Sequence, residues 1–183
     1  MNAVEAAILI MMDFHEGAGR YYLAKLSGLG EGFIRDRLNE LRAKGLVESK
    51  RSGSYLTQRG RMELRRYLDE VGIRKLIQID LSRLLRARHA ACMVAVAKMV
   101  PKDVVGLRDE LVRHGCKAAV IMRNECGDVV IPMTPFKVSD MDAELSRNLK
   151  EASECGDSLI GVCGDNEFIN IMAILSVELG APA

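Results

Sequence analysis

The sequence predicts an α+β protein in which an N-terminal winged helix-turn-helix is followed by a two-layer α+β domain with an antiparallel sheet. Two observations predict it. Three helical segments precede a short polar hairpin within the first 60 residues, and strand-like segments joined by hairpins alternate with helical ones after residue 72. The 183 residues, 49% of them hydrophobic, suffice for two small domains, which we place at 1–72 and 73–183.

The first 45 residues contain three segments with apolar residues at helical spacing. The first runs from about residue 2 to residue 13, and the second lies around Leu23 and ends at Gly28. The third runs from Glu31 to about Lys44 and is followed by Gly45, which stands where a left-handed C-cap belongs. Its buried face is predicted to consist of Ile34, Leu38 and Leu41.

The stretch GLVESKRSGSYLTQRG, residues 45–60, predicts two short strands around a tight polar turn, and a helix from Arg61 to Val71 follows. Apolar Leu46 and Val47 lie at the base of the hairpin, whereas its tip is basic and small. This distribution suits a wing whose base packs on the helices and whose tip meets phosphates.

These segments resemble a known family pattern. LAKLSGLGEGFIRDRLNELRAKGLVE, residues 23–48, resembles a stretch of prokaryotic winged-helix regulators, and YLTQRG, residues 55–60, is similar to their Y-x-LT-x-x-G second wing strand, one residue shorter between Tyr and Leu. The full layout resembles an uncharacterised archaeal family of winged-helix proteins with a small α+β domain behind. The resemblance implies a DNA-binding transcriptional regulator and does not indicate the operator.

The outward side of the third helix and the hairpin tip are the predicted contacts with double-stranded DNA. Arg35 is expected to reach a base edge, because arginine pairs bidentately with guanine. The other predicted DNA-binding residues are Arg37, Asn39, Arg42, Lys50, Arg51, Ser52 and Ser54. The alternative is a solvated charged face, since Glu31, Asp36 and Glu40 are spaced to pair with arginines along the helix.

Charge is divided unevenly along the chain. Residues 1–88 contain 17 Lys/Arg and 11 Asp/Glu, a balance of +6, and residues 89–183 contain 9 and 14, a balance of −5. The division indicates that only the first half meets a polyanion, although chance fluctuation produces such a difference as well.

The second half predicts the order ββαββα and then βα. Strands are predicted over residues 76–81, 90–100, 117–123, 129–132 and 157–163, with segment 83–88 open between a turn and the start of a strand. Helices are predicted after Pro101, after Ser139 as N-cap, and over residues 167–179. The helices are expected to share one face of the sheet, with a ferredoxin-like arrangement as the alternative. The size suits a domain for small-molecule sensing or dimerisation.

A weak ligand site is predicted where the last strand meets the last helix. Gly161 and Gly164, followed by Asp165 and Asn166, would present backbone N–H groups to an anion. Asp165 opposes an anion there, so a plain strand–turn–helix connection is the alternative. The sequence contains no P-loop, nucleophile elbow, HExxH or dinucleotide fingerprint, so we predict neither an enzyme nor a cofactor.

The five cysteines are odd in number and form no CxxC, which predicts reduced thiols in a cytosolic protein. His89-x-x-Cys92 and His114-x-Cys116 leave a metal site as an alternative to buried thiols. No apolar run reaches the length of a membrane span, and the first residues lack the features of a signal peptide. We therefore expect a cytoplasmic protein.

Together these features predict a homodimeric transcriptional regulator that binds double-stranded DNA and responds to a small-molecule effector. Two rival interpretations remain from the sequence. One is a metabolic enzyme that carries a winged helix as an appendage, and the other is a pair of protein-interaction modules.

Overall fold

The computed structural model describes residues 1–99 and 101–177. Its first 72 residues form three helices, a two-stranded hairpin and a fourth helix, in the order that the sequence predicts. The elements are α1 (Ala3–Phe14), α2 (Arg20–Ser27), α3 (Glu31–Ala43), β1 (Val47–Lys50), β2 (Gly53–Leu56) and α4 (Gln58–Glu70). α4 begins three residues earlier than predicted, because Thr57 is its N-cap.

Local sequence signals account for the ends of these helices. Asn2 and Glu5 form a capping box at the start of α1. Gly28 ends α2 with φ of 69°, and Gly45 follows α3 with φ of 70°, as predicted for a left-handed position that disfavours other residues. The motif YLTQRG shapes the next turn, since a Cβ on Gly60 would lie 2.1 Å from the carbonyl oxygen of Leu46.

The remaining residues form an antiparallel sheet flanked by helices. Its strands are β3 (Ile73–Gln78), β4 (Ala91–Ala97), β5 (Ala118–Glu125), β6 (Asp128–Val130) and β7 (Ser158–Gly164). The helices are α5 (Ser82–Leu85), α6 (Val104–Arg113), α7 (Val138–Met141), α8 (Ala143–Ala152) and α9 (Glu167–Ser176). The predicted ends of the second strand, at residue 100, and of the last helix, at residue 179, lie outside the described residues.

The strand order is β3-β4-β7-β5-β6, and all neighbours are antiparallel. The mixed α+β class, the antiparallel sheet and the β5–β6 hairpin are therefore confirmed. β7 lies between β4 and β5 and is buried along its whole length. Because β4 and β5 are both antiparallel to β7, β4, α6 and β5 form a split βαβ unit, the feature of the ferredoxin-like alternative.

Helices pack on both faces of this sheet. α6 and α9 cover the face to which β4 contributes Met93, Ala95 and Ala97. α5, α7 and α8 cover the opposite face, to which β4 contributes Val94 and Val96. The expectation that the helices share one face applies only to α6 and α9, because a strand that is apolar at consecutive positions must be covered on both sides.

Two local predictions in the second half were wrong. Ser139 does not cap the long helix; Asp142 does, accepting a hydrogen bond from the backbone N–H of Leu145 at 3.0 Å, and the single turn α7 precedes it. Segment 83–88 is neither a simple turn nor a strand. It contains the end of α5 and then Arg86 in the left-handed conformation, with φ of 53°.

The prediction of reduced thiols was also wrong for four of the five cysteines. Cys92 is disulfide-bonded to Cys163, and Cys126 to Cys155. The bond between Cys92 and Cys163 removes the thiolate that a site with His89 would need. Cys116 is free and buried, and burial raises the pKa of its thiol to about 11.

α1 connects the two halves of the chain through a shared core. All its residues from Glu5 to Met12 are buried, and the helix packs against α2, α4 and α9. The predicted boundary falls at Gly72, between α4 and β3, but one hydrophobic cluster extends from the first helices to the sheet face under α9. No helix among the described residues has both the length and the apolar character that crossing a membrane requires.

Candidate nucleic-acid interface

α3 buries one face and exposes the other. Its buried residues are Ile34, Leu38 and Leu41, as predicted, and they pack into the core of the first half. Arg35 and Asn39 are exposed. The outer face of this helix is therefore open to a partner.

Two predicted DNA-binding arginines of α3 form ion pairs on its surface. Arg35 Nε lies 3.2 Å from Asp36 Oδ1, and Arg37 Nη1 lies 2.7 Å from Glu40 Oε2. The pairing that the alternative interpretation predicts is thus present. Exposed pairs of this kind contribute little to stability, so it costs little to exchange the carboxylate for a phosphate or a base edge.

Arg42 connects α3 to the hairpin. Its guanidinium donates to Asn39 Oδ1 at 2.8 Å and to the Ser54 hydroxyl at 3.2 Å. Ser54 is only 4% exposed and lies within β2, not at the tip, so its hydroxyl is not open to a phosphate. Arg42 and Ser54, which the sequence assigned to DNA, thus join α3 to the hairpin, and Asn39 contacts the same guanidinium from within α3.

The tip of the hairpin consists of Arg51 and Ser52, both exposed. Arg51 makes no ion pair or hydrogen bond with the residues that the structure describes. The Lys50 ammonium lies 2.7 Å from Glu48 Oε1, which raises the Lys50 pKa, and 5.0 Å from the centre of the Tyr55 ring. Arg51 is therefore the tip cation most available to an anion.

The hairpin is fixed against the turn between α1 and α2. The backbone N–H of Ser54 donates to the carbonyl oxygen of Ala18 at 3.3 Å. A Cβ on Gly53 would lie 1.9 Å from the carbonyl oxygen of Gly17, so the two backbones approach as closely as glycine allows. Together with the Arg42 contacts, this approach gives the tip a defined position beside α3.

Sequence reasoning missed two exposed aromatic residues near this surface. Tyr21 in α2 is 60% exposed, and Phe33 in α3 is 43% exposed. A cation lies against each ring: the Arg20 guanidinium is 4.7 Å from the Tyr21 centroid, and the Arg37 guanidinium is 5.4 Å from the Phe33 centroid. The signal available in the sequence was an aromatic residue outside the helical apolar stripe with an arginine one or four positions away.

The four residues of the weak ligand site are occupied by structural contacts. Asn166 caps α9 by accepting from the backbone N–H of Ile169 at 2.9 Å, and Asp165 pairs with Lys117 at 2.6 Å. A Cβ on Gly161 would lie 2.8 Å from Val120, and one on Gly164 would lie 2.6 Å from the Asn170 oxygen. The glycines thus serve close packing, and the connection matches the plain strand–turn–helix alternative.

A pocket of about 550 Å³ lies beside Glu167 and is lined by residues of the second half. His15 Nε2, at the end of α1, is 2.9 Å from both Glu167 carboxylate oxygens, and Gln78 donates to one of them at 2.8 Å. Glu167 belongs to α9 and Gln78 to β3. A ligand that engaged Glu167 from the pocket would compete with His15 for it. The pocket lining also includes Asp80, Ser82, Arg88 and His89.

Comparison with known proteins gives information on the fold and none on the function. No protein-family model matches the chain, and no curated protein matches it. A solved structure described as hypothetical protein PH0730 from Pyrococcus horikoshii OT3 is similar, with a TM-score of 0.73 and 22% sequence identity, over 96% of this chain and 90% of that one. At that identity the likeness shows a shared fold and nothing further.

Proposed function

We propose that the chain is a DNA-binding transcriptional regulator whose first 72 residues form a winged helix-turn-helix. One observation carries the proposal: α3 presents an exposed face with Arg35 beside a hairpin whose tip cation Arg51 has no partner among the described residues. In such a unit the third helix enters the major groove and the hairpin follows the phosphate backbone.

The contacts divide into three roles. Arg35 contacts a base edge, with Asp36 exchanged for guanine. Lys50, Arg51 and Ser52 contact phosphates, which supply affinity without sequence preference. Arg42, with Asn39 and Ser54, sets the distance between the helix and the tip.

The second region responds to a small molecule or pairs two copies of the chain, and we place the effector in the pocket beside Glu167. What favours this pocket over the glycine-containing turn is that its lining residue Glu167 contacts His15, the residue that follows α1. An effector that released His15 would alter the packing of α1 against α9, and so the position of the winged helix. A homodimer would present two such helices to two half-sites.

The salt dependence of DNA binding tests the proposal. The full chain should bind duplex DNA, and log affinity should fall linearly with log salt concentration. Replacing Lys50 and Arg51 together with alanine should flatten that slope by about 0.9 for each phosphate that the hairpin tip no longer neutralises. Lys98 and Lys102, exposed in the second half, provide a control double variant of equal charge change that should leave the slope unaltered.

Two outcomes would contradict the proposal. One is the absence of duplex binding at low salt. The other is an equal change of slope in the wing and control variants, which would indicate a diffuse effect of net charge and not a contact at the hairpin tip.

A further inference from the structure

Phe33 is an apolar side chain placed where the fold does not need one. It lies in the first turn of α3, outside the buried stripe of Ile34, Leu38 and Leu41, and 43% of its surface is exposed. Exposed apolar area is unfavourable in water, and a partner that covers the ring recovers that free energy. The position of Phe33 on the helix assigned to the major groove makes DNA the partner to consider.

One face of the Phe33 ring is in contact with a cation. The Arg37 guanidinium lies 5.4 Å from the Phe33 centroid, and Arg37 also pairs with Glu40 at 2.7 Å. A cation is attracted to the face of an aromatic ring, so the Arg37 guanidinium occupies this face of Phe33. The Arg37 contact covers one face and leaves the exposed part of the ring open to a partner.

The neighbouring Gly32 has no internal explanation. A Cβ built there would meet nothing within 4 Å, so neither packing nor a close backbone approach within the protein requires glycine. Glycine in a helix costs up to about 1 kcal/mol relative to alanine. A helix surface that must approach another molecule closely beside Phe33 accounts for this choice.

We propose that Phe33 is a specificity-determining residue whose ring contacts the C5-methyl group of thymine in the major groove. This inference rests on the proposed function. In a duplex the base faces are stacked and inaccessible, and the thymine methyl is the apolar group that the major groove presents. Around the helix, Phe33 and Arg35 lie on opposite flanks of the outward position Gly32, so the thymine contact and the guanine contact involve different base pairs.

Substitution of uracil for thymine tests the contact, because uracil lacks only the C5-methyl. A preferred duplex is first selected from a random library with the full chain. Single thymines in it are then replaced by deoxyuridine, and binding is measured by competition. At one or two positions the wild-type chain should lose about fourfold in affinity per methyl, the factor that corresponds to one buried methyl-sized group.

Phe33→Ala should bind the thymine and uracil duplexes equally at those positions, and thermal unfolding checks that the variant is folded, because part of the ring is covered in the folded protein. Phe136→Ala is the matched control, since Phe136 is 52% exposed in the second half and should preserve the thymine preference.

The outcomes separate this inference from the function on which it rests. If no duplex is selected and none binds, the proposed function fails and the thymine contact fails with it. If a duplex is selected but no thymine position responds to uracil, the regulator proposal stands and the Phe33 contact is overturned. A thymine preference that persists in Phe33→Ala overturns the contact as well.

Discussion

Helices α1 and α3 are nearly equal in length, with 12 and 13 residues, but differ in how they are buried. α1 buries every residue from Glu5 to Met12, because it packs against helices of the first half and against α9 of the second. α3 buries a single stripe and leaves its outer face open. The two helices therefore differ in what their side chains do. Most of α1 contributes to the stability of the core, whereas α3 also exposes a surface that a partner can contact.

Leu9→Ala in α1 should have the largest effect. Leu9 has no exposed surface, and removing three buried carbons leaves a cavity in the core shared by both halves. We expect the free energy of unfolding to fall by about 2–5 kcal/mol, measured by urea denaturation. Asn39→Ala on the exposed side of α3 is the comparison variant. It should change stability by less than about 1 kcal/mol, since it loses only one surface hydrogen bond. Equal losses in the two variants would remove the distinction between the helices.

Arg35→Ala in α3 should show the opposite behaviour. Stability should change by no more than about 0.5 kcal/mol, because Arg35 is exposed and its ion pair is weak. Discrimination between the preferred duplex and random DNA should fall by about 1–3 kcal/mol in a competition assay. Equal weakening on both DNAs would place Arg35 on a phosphate and not on a base.

The link between Arg42 and Ser54 should show as coupling between two substitutions. Arg42→Ala and Ser54→Ala should each lower the free energy of unfolding by about 1 kcal/mol, because each removes the same hydrogen bond between α3 and β2. In the double variant the two losses should not add. Additive losses in urea denaturation would mean that the bond does not hold the hairpin to the helix.

Glu5 in α1 should produce a smaller effect that depends on pH. Burial opposes its ionisation, but hydrogen bonds donated by the Lys44 ammonium and by the backbone N–H of Asn2 outweigh burial and lower the Glu5 pKa below its usual 4.5. A lowered folded pKa means that the ionised carboxylate stabilises the fold above pH 4.5. That contribution is lost as the pH falls through the folded pKa. Glu5→Gln should therefore lose less stability between about pH 6 and pH 3 than the wild-type chain. If thermal unfolding shows that the wild-type chain and Glu5→Gln lose the same stability as the pH falls, the prediction is wrong.

Much of the first half could be predicted from local sequence, because local interactions determine it. The stripe of Ile34, Leu38 and Leu41 was predicted and is buried, and Gly45 adopts the left-handed conformation that was expected after the helix. The hairpin was predicted within residues 45–60, and its turn at Arg51 and Ser52 lies inside the predicted polar tip, since apolar alternation and a polar turn encode it. Arg35 and Arg51 are both exposed, and their contact with DNA stays a prediction.

Other features depended on residues far apart in the chain. Ser54 and Arg42, assigned to DNA binding from the sequence, face each other because β2 folds back onto α3. Phe33 lies outside the apolar stripe of α3, but how much of its ring is exposed depends on the packing of the helix against its neighbours. α1, buried from Glu5 to Met12, was predicted only from apolar residues at helical spacing, since its sequence does not reveal that α9 covers its remaining face.

The sequence alone determined the identities and approximate ends of most elements and the antiparallel hairpins, because helical period, strand alternation and turn residues act over a few positions. It also determined the charge division between the halves, which is a count of residues. The tertiary structure alone decided the strand order, the cover on both sheet faces and the cysteine pairs. Cys92 and Cys163 are 71 residues apart and meet because β4 and β7 pair in one register, a choice made by packing the whole sheet. Strand order and cysteine pairing depend on which surfaces of distant segments bury each other, and no single stretch of sequence encodes which segments those are.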